Sequence, residues 1–97
     1  MKSRVDNIIN LIANEFHRIF DANVALLLFG SRANNTANQY SDIDLAVQHT
    51  QKLEGNKMRQ FQDFIDNIPT LYSIDLLDVN DASLELKQQI KRNSILL

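Results

Sequence analysis

Apolar residues in the first twenty positions fall at spacings of three and four. Val5, Ile8, Ile9, Ile12, Phe16, Ile19 and Phe20 form one stripe on a 3.6-residue period, which predicts an amphipathic helix over residues 3–20. Ser3 suits its N-cap, and Asp6 falls in the first turn, where a carboxylate is favoured. Asp21-Ala22-Asn23 ends it. The pattern then changes. Val24 to Phe29 is apolar on both faces, as in a central strand. Gly30-Ser31 closes that run, with Ser31 as the cap of a short helical turn through Ala33.

Asn34 to Ser41 is polar and turn-forming, so it reads as a loop. Asp42 to Gln48 alternates: Ile43, Leu45 and Val47 point one way, Asp42, Asp44 and Ala46 the other. That is a second strand. His49 to Gly55 connects it to a helix over 57–68, with Met58, Phe61, Phe64, Ile65 and Ile68 on one side and Pro69 as its stop. Tyr72 to Val79 reads as a third strand, with Ile74 and Leu76 on one face and Asp75, Leu77 and Val79 on the other. Asp81 or Ser83 caps a last helix to Lys91 or Asn93, and Ser94 to Leu97 is a short apolar tail. The order predicts an α+β fold, a two-layer arrangement in which helices pack on one face of a small mixed sheet and leave the other partly open.

Composition narrows the function classes. The 97 residues suit a single domain, 1–97, with 44% apolar and 23% charged residues, ordinary for a soluble globular protein. Net charge is -2, and the longest basic run is Lys91-Arg92, so no surface for duplex nucleic acid is expected. There is no cysteine, which removes disulfides and thiolate metal sites. No signal peptide or membrane span is read, and the expected location is cytoplasmic.

The chemistry lies between Phe29 and Val47. Asp42 and Asp44 share a strand face roughly 6.6 Å apart along the chain, so their oxygens can converge on one cation or straddle two. Alone, the pair reads equally as a polar outer face. Two aspartates in one strand are nevertheless unusual. Asp75 adds to them. It shares a face with Leu77 and Val79, where a carboxylate is costly unless paired or bound to a cation. Asp78, on the Ile74 face, is the rival third ligand. Gly30 lets a phosphate approach the backbone, and Ser31 adds a hydroxyl donor. Arg32 either neutralises a phosphate or is a solvated cation, and Ser41 orients the strand start or an aspartate. His17 and His49 have no ligand-like spacing and are expected at the surface.

Gly30-Ser31, ten residues, then Asp42-Ile43-Asp44 resembles the signature of the DNA polymerase β-like nucleotidyltransferases. The whole chain looks like the minimal nucleotidyltransferases (MNT proteins) of bacteria and archaea. Ser31-Arg32-Ala33, Ser41 to Val47 and Ile74-Asp75-Leu76 match that family's core segments. The resemblance implies a polymerase β-like palm, a nucleoside triphosphate donor such as ATP, and two Mg²⁺ ions. It assigns the metals to Asp42, Asp44 and Asp75, makes these the catalytic residues, and gives the phosphates to Gly30 and Ser31 with Arg32 and Ser41 nearby.

It also implies a partner, a HEPN-type toxin, with this chain as antitoxin in a hetero-oligomer or as a homodimer. Where the family often has Arg-Gly, this chain has Asn34-Asn35, and Asn35 is expected to stand in for glycine in a left-handed conformation. Three functions follow: AMP transfer to a partner protein, an antitoxin acting by binding alone, and transfer to a small molecule of the aminoglycoside type. The short chain disfavours the last. A glycosyltransferase using Asp-x-Asp lacks the Gly-Ser element.

Overall fold

A computed structural model describes residues 3–38 and 40–97; Met1, Lys2 and, within the expected loop, Gln39 lie outside the described residues. The elements are α1 (Arg4–Ile19), β1 (Ala25–Phe29), β2 (Ile43–Gln48), α2 (Lys57–Asp66), β3 (Ile74–Asp78), α3 (Leu84–Arg92) and β4 (Ile95–Leu96). Short 3₁₀ turns follow β1, at Gly30–Arg32, and β3, at Val79–Asp81.

The sheet order is β3-β2-β1-β4. β1 is antiparallel to β2 and β4, whereas β2 and β3 are parallel and joined by a crossover through α2. The fold is therefore the expected α+β arrangement with a mixed sheet. The short apolar C-terminal tail forms the edge strand β4, and Leu97 N–H donates to the Leu26 carbonyl at 2.9 Å.

α1 begins as its sequence predicts. The Ser3 hydroxyl accepts from Asp6 N–H at 3.2 Å while the Asp6 carboxylate accepts from Ser3 N–H at 3.3 Å, a reciprocal capping box. Its apolar stripe buries Ile12, Phe16 and Ile19. These meet Leu26 and Leu28 of β1, Ile43, Leu45 and Val47 of β2, and Phe61 and Ile65 of α2. Phe16 and Phe61 pack edge-on with ring centroids 5.5 Å apart, which joins the two helices. Each fully buried side chain of this size contributes about 1.5–3 kcal/mol.

The layer of helices on one face is thus α1 and α2. α3 departs from the expectation and covers the opposite face, where Ile90 and Leu86 pack on Leu27, Phe29, Ala46, Leu77 and Val79. The reason lies in β1: a strand apolar on both faces needs cover on both. The rest of that second face stays open around Asp44 and Asp75.

Several boundaries contract. β2 starts at Ile43, not Asp42, and β3 ends at Asp78 because Val79 enters the 3₁₀ turn. α2 stops at Asp66, ahead of Pro69, where the Asn67 side-chain amide donates to the Asp63 carbonyl at 2.7 Å. Ser83, rather than Asp81, caps α3 by accepting from Leu86 N–H at 3.2 Å. No helix among the described residues is long and apolar enough to cross a membrane.

Candidate functional site

Strand pairing brings the chemical groups to one end of the sheet. Phe29 lies opposite Asp44 across the antiparallel ladder, and Asp44 lies opposite Asp75 across the parallel one. The turn after β1 and the starts of β2 and β3 therefore meet at the same edge. Asp44 is half-buried there, while Asp42, just ahead of β2, and Asp75 are exposed. Desolvation holds the Asp44 carboxyl above its usual range, and the Asp75 and Asp42 charges push it further the same way.

Gly30 follows from that geometry. Its φ is +75°, which favours glycine, and a Cβ placed there would collide with Asp44 Oδ2 and come within 3.3 Å of Asp44 Cγ. The backbone of the turn thus runs directly beside the carboxylate. Within the turn, Ala33 N–H and Asn34 N–H both donate to the Gly30 carbonyl, at 3.1 and 3.3 Å. Ser31 does not cap it as expected: no side-chain bond caps the turn, and Ser31 lies inside it as the second residue. Asn35 adopts a φ of 62°, the left-handed conformation anticipated for a stand-in glycine.

Arg32 has a definite role. Its Nε and Nη2 donate to the Ser41 carbonyl at 3.1 and 2.6 Å, and its guanidinium carbon lies 5.4 Å from the centre of the Tyr72 ring. One side chain thereby ties the residue before Asp42 to the segment leading into β3. The Ser41 hydroxyl accepts from Asn38 N–H at 3.0 Å and closes the loop ahead of β2. Neither the solvated cation nor a group held free for phosphate describes Arg32 fully.

The rival ligand Asp78 points elsewhere. It accepts from Asn80 N–H at 2.9 Å and pairs through Oδ2 with His49 Nε2 at 2.7 Å. His49, expected at the surface, has a side chain only 9% exposed. Its Nδ1 faces the Gln51 carbonyl at 2.7 Å. Both ring nitrogens thus face acceptor-only oxygens, a setting for the imidazolium, and the Asp78 bond raises its pKa. Sequence reasoning missed this pair because its members are 29 residues apart. The parallel register, Val47 opposite Asp78, is the signal that would have found it. His17 is exposed, as expected.

The donor set fits a divalent cation. It holds only carboxylates, none of them in an ion pair among the described residues, and like charges close together are relieved by a metal. Among the described residues no three His, Cys, Asp or Glu side chains converge closely enough to hold a metal ion by themselves. Mg²⁺ is usually bound by one or two carboxylates together with substrate phosphates and water, so an open protein half-site suits it.

The family model for "Polymerase beta, Nucleotidyltransferase" matches residues 7–97. Solved structures agree in fold. A chain of a toxin–antitoxin complex with AMP-PNP superposes with a TM-score of 0.62 at 25% identity, covering 89% of this chain and 69% of its own. A tyrosine-to-alanine mutant of the MntA–HpeT toxin–antitoxin gives 0.59 at 26% identity, covering 99% and 72%. The complex of tri-AMPylated Shewanella oneidensis HEPN toxin with MNT antitoxin gives 0.51 at 23% identity, covering 90% and 69%, a likeness of fold alone. No curated protein matches the chain.

Proposed function

The chain belongs to the polymerase β nucleotidyltransferase family, and on that premise we propose that it transfers AMP from ATP to a hydroxyl of a partner protein, a HEPN-type toxin. One observation carries the reading. Asp44 and Asp75 stand opposite each other in parallel register beside the positive-φ turn at Gly30. That supports reading the carboxylates as a cation half-site beside a backbone that a phosphate can approach.

The turn at Gly30 and Ser31 holds the triphosphate. Asp42, Asp44 and Asp75 would hold Mg²⁺, two ions in the full complement, and the metal would supply neutralisation of charge on the transferring phosphoryl and the leaving pyrophosphate. The acceptor oxygen forms a bond to the α-phosphorus. The bond from that phosphorus to the bridging oxygen breaks, and pyrophosphate leaves. Asp75, the most exposed side of the pair, accepts the hydroxyl proton directly or through water. Arg32 keeps the start of β2 and the approach to β3 in register. ATP as donor draws support from the AMP-PNP of the 25%-identical relative, and the toxin partner from the toxin–antitoxin complexes.

The test is to incubate the chain with a HEPN-type partner, Mg²⁺ and ATP, and to weigh the intact partner. A gain of one or more adenylyl groups, abolished by Asp44→Asn, is expected. An unchanged mass under conditions where an active relative modifies its own partner overturns the proposal.

A second reading, neutralisation by binding alone, has its own observation. Ile95 and Leu96 of β4 remain 45% and 69% exposed at the open sheet edge. Neutralisation that survives Asp42→Asn with Asp44→Asn together favours it.

A further inference from the structure

We propose that the acceptor segment of the partner protein docks in the cleft between the first turns of α1 and the residues leading into β3. This rests on the nucleotidyltransferase reading above and adds where the acceptor enters. The cleft measures about 730 Å³ and is lined by Arg4, Ile8, Tyr40, Leu71 and Tyr72, with Asp42 among its walls. That size is ordinary for a ligand pocket, which spans roughly 300–1,000 Å³.

Its place in the fold sets its role. Across the active end of the sheet the order is β1, β2, β3. The turn after β1 is the phosphate side, with Asp44 and then Asp75 beyond it. Displacement at phosphorus runs in line, so the entering oxygen approaches opposite the departing pyrophosphate. With the triphosphate on the β1 flank, the acceptor arrives from the β3 flank. The cleft opens there, through residues 69–73 on the α1 side of the sheet, and meets the carboxylate end at Asp42.

Its chemistry selects a protein segment. Leu71 is fully exposed and Tyr40 is 81% exposed, so neither serves the core. Two large apolar side chains flanking one cleft, with Ile8 and Tyr72 inside it, suit an apolar or aromatic side chain of an incoming chain. Among the described residues of its lining, Arg4 is basic and Asp42 acidic. With Asp42 committed to the cation, Arg4 repels a polycationic small molecule and attracts a carboxylate or carbonyl of a peptide.

Leu71→Asp with Tyr40→Ser tests this, because both side chains are exposed and their loss leaves the core intact. Two quantities are read on the full chain: the Kd for a HEPN-type partner without nucleotide, and the Kd for Mg·ATP. The expected result is partner binding weakened roughly 10-fold or more, as for loss of interface anchors, with Mg·ATP binding unchanged. Arg4→Glu should weaken partner binding in the same direction. Partner affinity within about 2-fold of the parent overturns the proposal, as does an equal loss of Mg·ATP binding, which makes the cleft a nucleotide site. If the parent chain transfers no label yet the double variant loses the partner, the transfer reading falls and the cleft stands as the docking site.

Discussion

The two ends of the β2–β3 pair treat their carboxylates in opposite ways. At the strand starts, Asp44 faces Asp75 with Asp42 nearby, and the charges push on one another. At the far end, Asp78 meets His49 at 2.7 Å and accepts from Asn80 as well. One ladder thus carries an uncompensated cluster and a compensated pair. Folding alone favours the second. An arrangement that keeps like charges together costs stability, and it persists where a ligand of opposite charge makes up the difference. The difference marks the strand-start carboxylates as the candidate site and the Asp78–His49 pair as a structural clasp.

The largest effect should come from breaking the site end. Asp44→Asn should lower nucleotidyl transfer roughly 10²- to 10³-fold, the usual cost of losing one electrostatic contact to the reacting group. The same change should raise thermal stability at neutral pH without divalent cation. The sign follows from the raised pKa of Asp44. Its contribution to stability is fully present below its unfolded pKa, near about 3.9, and is lost as pH rises through the folded value. The ionised carboxylate is therefore the destabilising form.

The clasp end should respond in the reverse sense. Asp78→Asn should cost about 1.5–3 kcal/mol, the range for hydrogen bonds to a charged group, and leave transfer per folded molecule intact. His49 has a raised pKa, so its stabilising contribution is complete below its unfolded value, near 6.5, and is lost as pH rises through the folded one. Melting curves from pH 6 upward, roughly to pH 9, should show that decline in the parent. The decline should flatten in Asp78→Asn, and an equal slope in both would remove the clasp from the account.

Two smaller changes sharpen the site end. Gly30→Ala should cost at least about 1–2 kcal/mol for a left-handed residue. It should also reduce activity, since the new Cβ displaces the Asp44 carboxylate. Asn35→Gly, at φ 62°, should change stability by no more than about 0.5 kcal/mol, because Asn already tolerates that conformation. A larger gain in activity would show that Asn35 limits the loop.

Much of this was legible along the chain because it is local. The α1 stripe and its capping box need only residues three and four apart. The alternation of β2 set Asp44 on the face opposite Ile43, Leu45 and Val47, and the two-sided apolarity of β1 marked a central strand. What escaped is non-local. The position of α3 depends on which face of β1 lacks cover. Arg32 looked either solvated or phosphate-bound because Ser41 and Tyr72 come near it only through the fold. His49 looked like a surface residue and Asp78 like a rival metal ligand until the parallel register brought them together.

The most direct test of the central claim, that the strand-start carboxylates form a cation site, is thermal unfolding of the parent and Asp44→Asn across a Mg²⁺ titration. A cation that binds only the folded state raises the melting temperature with concentration. The account predicts that the parent starts lower and climbs with Mg²⁺, while Asp44→Asn starts higher and stays nearly flat. A parent that ignores Mg²⁺, or a variant that climbs equally, contradicts it.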